Sequence, residues 1–347
     1  MNSTIARIVK WALAVAAVFA CVIGFRLVYI GRPDDGASLK FRGFVLLPRG
    51  ALLTVLDYLT VSDQQLFVTD ESTGSVYRIT LHGDALPAAS DVAVLPSEPA
   101  AHGVALNRSG TLAYVTRSEV NAVDVFDPNT LKSIARVPVA DEPDAIVLDS
   151  VHNLLYVVNA GARLATLIEP DSHAVVATIP LGGKPEFPAV DHHTGLMFQN
   201  LRDGNAVAEV DLAARSLRRT TLLPGCSGPS GMAIDEAGRR LFIACSGNSV
   251  LKIFDVDRRR VVATQPVGAG PDSVAFDAEL HRIYTTGQSG VLTVLMQEGP
   301  DSYKVVESIK LHYGAHTLAV DPATHNLYVG YASLLAPARV AVFAPRT

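Results

Sequence analysis

An aromatic residue set in a short apolar run recurs along this chain at Phe67, Tyr114, Tyr156, Phe198, Phe242, Tyr284 and Tyr328, at successive spacings of 47, 42, 42, 44, 42 and 44 residues. Self-similarity at such a period marks a repeat architecture in which each unit is one supersecondary block. Seven residues before each aromatic stands Thr60, Asn107, Asp149, Asp191, Asp235, Asp277 or Asp321. In the unit 231–267 the runs GMAID, LFIAC, LKIFDV and VVATQPV alternate with EAGRR, SGN and DRRR. Apolar and β-branched runs of this length, broken by turn formers, read as four short antiparallel strands. Four strands in about 40–45 residues is the period of a propeller blade. The expected fold is therefore all-β, a seven-bladed β-propeller with four-stranded antiparallel blades.

The ends of the repeat array fit a closed ring. The last unit supplies TLAVD, NLYVGY and ARVAVFAP and stops one strand short at Thr347. An orphan apolar stretch, LKFRGFVLL at Leu39–Leu47, precedes the first unit and has no partner of its own. It is expected to complete the last blade as its outer strand, leaving no open inner edge for pairing with other chains.

The runs LYVVN at Leu155–Asn159, FVTD at Phe67–Asp70, AYVTR at Ala113–Arg117 and VVATIPLGGKPE at Val175–Glu186 resemble the YVTN-type repeat of YncE-like exported propellers. The resemblance covers roughly residues 50–345. It implies the propeller fold and an exported protein. Its motifs consist of strand and turn residues, so it implies no reaction.

The N-terminus addresses compartment. Arg7 and Lys10 precede the apolar run Trp11–Phe25, closed by Arg26. A charged start followed by such a run has the form of an export signal. Extended to Ile30 it reaches the roughly 20 residues that cross a bilayer. Residues 1–31 are thus expected to be a hydrophobic helix acting as a signal anchor or signal peptide, with lipid attachment at Cys21 a third route. Residues 32–38 follow as a linker and 39–347 as the propeller. The protein is expected outside the cytoplasm, periplasmic or at the cell surface, tethered by residues 11–30. Cys226 and Cys245 fall in one unit, before its first strand and at the end of its second, which places them on one face. They are expected to pair as a disulfide, consistent with an oxidising compartment.

Net charge is −5, and Arg258–Arg260 is the one basic run, set in a turn. Nucleic-acid binding, which rests on basic patches, is not expected. There is no G-x-S-x-G elbow, phosphate loop, H-E-x-x-H or C-x-x-C-H in the chain. The lone tryptophan, Trp11, lies in the export segment, against a quinone-dependent propeller. The chain is read as a monomer with no resident cofactor, a divalent metal in the central channel being the alternative.

Chemistry then has one place to gather, the mouth of the channel where innermost strands begin. Five residues before each marker stand Val55, His102, Asp144, Glu186, Ser230, Asp272 and His316. His102, Asp144, Glu186, Ser230, Asp272 and His316 are the candidate ligand-binding residues. His102, His316, Asp144, Glu186 and Asp272 are also candidate metal ligands, since imidazole and carboxylate together suit zinc or another divalent ion. No catalytic residue is nominated. The once-per-blade aspartates Asp149, Asp191, Asp235, Asp277 and Asp321 precede turn residues and read as caps of turn amides. His192 and His193 read as a solvated turn on the opposite face.

The expected function is a binding or scaffold module acting through the mouth face and the loops after the second strands, around residues 69–75, 117–121, 159–163, 200–205, 246–248 and 287–290. Its partner would be a protein, a peptide or a small polar ligand. One alternative is a metal-dependent hydrolase of lactonase or esterase type. Another is a structural component of cell-envelope assembly.

Overall fold

The computed structural model describes residues 32–48, 53–95, 100–312, 314–331, 333–334 and 337–346. The expected N-terminal helix, with its roles as signal, anchor or lipid site, falls in residues 1–31, outside the described residues. Among the described residues, no helix is long and apolar enough to cross a membrane. Asp34–Thr347 forms one compact unit, the propeller.

Blade one comprises Leu56–Ser62, Gln65–Asp70, Val76–Thr80 and Val92–Leu95. Blades two to six cover residues 101–138, 143–180, 185–222, 229–266 and 271–310, each a four-stranded sheet whose order follows the chain from inside to outside. Blade seven pairs Thr317–Val320, Leu327–Tyr331 and Arg339–Pro345, and its fourth, outer strand is Leu39–Leu46. That strand runs antiparallel to the last one, Leu39 opposite Pro345 and Leu46 opposite Arg339. The first strands of neighbouring blades touch all the way round, blade seven against blade one included. The expected architecture and its closure by the N-terminal strand are what the structure shows.

The core lies between blades as seven thin layers. The marker aromatics Phe67, Tyr114, Tyr156, Phe198, Phe242, Tyr284 and Tyr328 are all at most 1% exposed. Each packs across a blade boundary: Tyr114 and Val125 of blade two, for example, meet Leu155, Val157 and Ile168 of blade three. A face of each sheet thus buries its apolar alternates against the next sheet, the packing that β-sheets require.

The turn aspartates behave as expected. Asp149 accepts the Val151 amide at 2.9 Å, Asp191 that of His193 at 3.0 Å, Asp235 that of Gly238 at 2.7 Å, Asp277 that of Leu280 at 3.0 Å and Asp321 that of Ala323 at 2.9 Å. Blade one departs from this pattern. Its first hairpin closes directly through Asp63 and Gln64, with Ser62 opposite Gln65. That turn is two residues shorter than in the other blades, so Ser62, and not Thr60, occupies the marker position.

Cys226 and Cys245 are disulfide-bonded, with Cα atoms 5.3 Å apart, and both side chains are buried. This bond fits an oxidising, extracytoplasmic environment. Ahead of Leu39, the segment expected as a linker is tied down at its end. Asp35 accepts the Phe41 amide at 2.9 Å and pairs with Arg346 at 3.2 Å. Glu307 accepts the amides of Ala37 and Ser38.

Candidate functional site at the channel mouth

Innermost strands start with a buried residue that is proline in blades three to six, Pro143, Pro185, Pro229 and Pro271. Proline at a strand's first position costs no ladder bond, and it fixes where the strand begins. The next residue of each blade then opens onto the mouth. The short blade-one hairpin shifts the register there by two, so the seventh member of the ring is Asp57 in place of Val55. The ring is Asp57, His102, Asp144, Glu186, Ser230, Asp272 and His316, all polar.

One residue further in, the equivalent positions are Tyr58, Gly103, Ala145, Phe187, Gly231, Ser273 and Thr317. Five are small, and for two the reason is contact between blades. A Cβ on Gly103 would lie 2.7 Å from the Ile146 nitrogen, and one on Gly231 2.3 Å from the Asp272 carbonyl oxygen. The two large members, Tyr58 and Phe187, come from blades one and four and stack across the axis, centroids 5.6 Å apart and planes at 26°. Between the ring and this aromatic floor is a cavity of about 80 Å³ lined by Asp57, Tyr58, Glu186, Asp272, His316 and Thr317 among others. It has room for a few water molecules or one small polar group. From the other end a wider cavity of about 520 Å³ reaches Phe187, lined mainly by aliphatic residues of blades one to three.

The ring residues divide into three groups. Asp57, His102 and Asp144 form the first. His102 Nδ1 lies 2.5 Å from Asp57 Oδ2 and 3.7 Å from Asp144 Oδ1, while Nε2 lies 2.9 Å from Ser118 Oγ. Burial pulls the imidazole pKa down, but the hydrogen bond and charge of Asp57, with the charges of Asp144 and Glu71, outweigh it and raise it to about 9. At neutral pH His102 is an imidazolium, donating to Asp57 and to Ser118. Asp144 is pushed up to about 7, chiefly by burial and by repulsion from Asp57, against the attraction of His102 and a hydrogen bond from the Tyr58 hydroxyl. Tyr58 itself rises well above the ordinary tyrosine range, through burial first and then the charges of Asp144, Asp57, Glu186 and Asp272.

Glu186, Asp272 and His316 make the second group, on the cavity. Glu186 is raised by burial despite Arg202, whose Nη1 sits 3.3 Å away. Asp272 is raised by burial, with His316 and Arg202 offsetting it through space and Asp57 adding repulsion. His316 Nδ1 lies 3.1 Å from the Gly314 carbonyl oxygen. That oxygen can only accept, so Nδ1 carries a proton. Ser230 stands apart as the third. Its hydroxyl donates to the Pro271 carbonyl at 2.9 Å and the residue is 2% exposed, so it joins blade five to blade six.

Among the described residues, the one set of three His, Cys, Asp or Glu groups with ligand atoms all within 4.8 Å of one another is Asp57, His102 and Asp144. Of the five residues expected as metal ligands, the structure brings together His102 and Asp144 in this set. His316, Glu186 and Asp272 lie outside it. Asp57 and the Tyr58–Phe187 floor escaped the sequence reading. Aligning the blades from the strand ladder instead of from the aromatic would have found Asp57.

The fold and the ring together define the protein as a seven-bladed β-propeller with a polar, carboxylate-rich channel mouth. Its structure is similar to that of a hydrazine synthase from Kuenenia stuttgartiensis, with TM-score 0.70 at 15% identity over 82% of this chain and 96% of that one. It is also similar to a virginiamycin B lyase from Staphylococcus aureus, with TM-score 0.71 at 12% identity over 88% and 99% of the two chains. At such identities these likenesses show the propeller fold alone. No family model matches the chain, and no curated protein matches it. The YVTN resemblance therefore rests on the repeat motifs.

Proposed function

We propose that this protein is an exported, membrane-tethered binding module whose recognition site is the channel mouth. The observation that carries this reading is a ring of seven polar residues, one per blade, of which Asp57, Glu186, Asp272 and His316 line a small cavity floored by Tyr58 and Phe187. Sites of this kind, concave with a few convergent polar groups and perturbed carboxylates, are where ligands bind on rigid scaffolds. The apolar run at Trp11–Phe25 and the disulfide support the compartment. Proximity capture in intact cell envelopes tests the reading. A partner recovered with the wild-type chain and lost with folded Asp272→Lys supports it, and equal recovery by both moves the contact elsewhere and overturns it.

A metal-dependent hydrolase is the second reading, favoured by the Asp57, His102, Asp144 set. Zinc-type ligation requires a neutral imidazole nitrogen. Here both nitrogens of His102 are engaged, by Asp57 and Ser118, and the ring is protonated at neutral pH. Metal analysis of the full chain, purified without chelator or His tag, separates the readings. About one divalent ion per chain, lost in His102→Ala, would put the hydrolase first.

A further inference from the structure

We propose that the cavity beneath the ring is a recognition site for a small primary amine, taken up as its ammonium cation with the alkyl stem directed outward. The inference rests on the channel-mouth reading and names its ligand class. Its first ground is the inventory of polar groups. The Asp272 carboxylate lines the cavity and, among the described residues, has neither a hydrogen bond nor an ion pair, although its strand is packed on both sides. Thr317, only 4% exposed, also lines the cavity, and its hydroxyl makes no hydrogen bond among the described residues. His316 Nδ1 faces the Gly314 carbonyl, which leaves Nε2 as the ring atom open to a guest. The guest that the Asp272 carboxylate and the Thr317 hydroxyl call for is a donor, and one with several N–H bonds.

Charge gives the same answer. Asp57, Glu186 and Asp272 line the cavity, while Arg202 on Glu186 is the one nearby guanidinium paired with any of them. Burial raises both Glu186 and Asp272 in spite of the opposing charge of Arg202, so the cavity favours neutralising their charge. A shared metal ion is less suited to this half of the mouth, because Glu186, Asp272 and His316 are not a set with converging ligand atoms. Size and floor complete the fit. About 80 Å³ admits an ammonium head with the first carbons of its stem. The Tyr58–Phe187 stack presents an aromatic surface to it, suited to methylenes and to a cation. A quaternary ammonium would bring charge without a single donor.

Ligand-observed NMR titrations of the untagged full chain with n-butylamine, tetramethylammonium, butyrate and calcium or zinc ions test this. Butylamine is expected to saturate one site at millimolar concentration, as suits so small a ligand. Asp272→Asn should weaken it about tenfold or more, since a hydrogen bond to a charged group is removed, and Thr317→Val should weaken it severalfold. Asp272 has no hydrogen-bond or ion-pair partner among the described residues, so its variant should keep the wild-type circular dichroism and melt no lower than the wild type. Tetramethylammonium and butyrate are expected not to saturate. Preference for a metal ion or for butyrate, sensitive to Asp272→Asn, would overturn the amine assignment while leaving the mouth a binding site. Absence of saturation by every probe, or butylamine binding unchanged in Asp272→Asn, would overturn the assignment and remove this cavity from the recognition surface.

Discussion

The charge on His102 follows from contact with Asp57, and it sets the pH behaviour of the mouth. Raising an imidazole from 6.5 to about 9 corresponds to about 3 kcal/mol in favour of the folded state. A group raised on folding contributes that stability in full below pH 6.5 and loses it as pH rises through about 9. Proton-detected NMR should find the His102 titration near 9. Asp57→Asn should drop it by at least about one unit, because burial then acts with less opposition. A value near 6.5 in the wild type would refute the contact. Asp144 has the same direction of pH dependence, in a lower window. Raised from 3.8 to about 7, it leaves stability intact below about pH 3.8 and lowers it as pH climbs from there through about 7. Asp144→Asn should therefore stabilise the protein by about 1–2 kcal/mol at pH 8 and give no gain below about pH 4, measured by denaturant unfolding. Loss of stability at pH 8 would show that the carboxylate is satisfied where it stands.

At the scale of strands and turns, the legible part of the sequence was whatever repeats. The aromatic in the second strand recurs because it fills the same gap between every pair of blades, and the turn aspartate because every first hairpin but one leaves the same amides uncovered. Blade one breaks the pattern by two residues. Its direct Ser62–Gln65 hairpin needs no aspartate cap, and counting back from Phe67 at the common spacing picks Val55 for the ring when the ladder selects Asp57. A turn's length is invisible to a periodicity of side chains, whereas strand register depends on it. Tyr58 was hidden by the same slip. The pairing of Cys226 with Cys245 was legible because blade geometry alone brings their positions together. Closing a loop of this length, with sequence separation 19, should contribute about 3 kcal/mol. Denaturant unfolding of the Cys226→Ser, Cys245→Ser double variant should show a loss of that order with the fold retained. A loss below about 0.5 kcal/mol would show that blade five needs no such constraint.

For the whole molecule the decisive element is the strand farthest in sequence from the blade it completes. Leu39, Phe41 and Val45 are 0%, 6% and 1% exposed, and they join two apolar layers on the two sides of blade seven. Burying three such side chains is worth roughly 5–8 kcal/mol, a large part of the 5–15 kcal/mol that typically separates folded from unfolded. Arg282 and Arg346 reinforce the join. Arg282 donates to the carbonyls of Ser38 and Arg346, and the Arg346 amide donates to Ser38 at 2.7 Å. A segment at the start of a domain ordinarily frays and exchanges its amides quickly. Here the ladder amides of Leu39–Leu46 should exchange as slowly as those of Leu327–Tyr331, through global opening. Phe41→Ala should destabilise the whole propeller by about 3–5 kcal/mol, in one transition shared by all blades. Native-state hydrogen exchange measures both. Fast exchange at Leu39–Leu46 beside protected inner strands would mean that the ring stays closed without its N-terminal strand. The amine site would then depend only on inner strands, whose contacts run unbroken from blade seven to blade one.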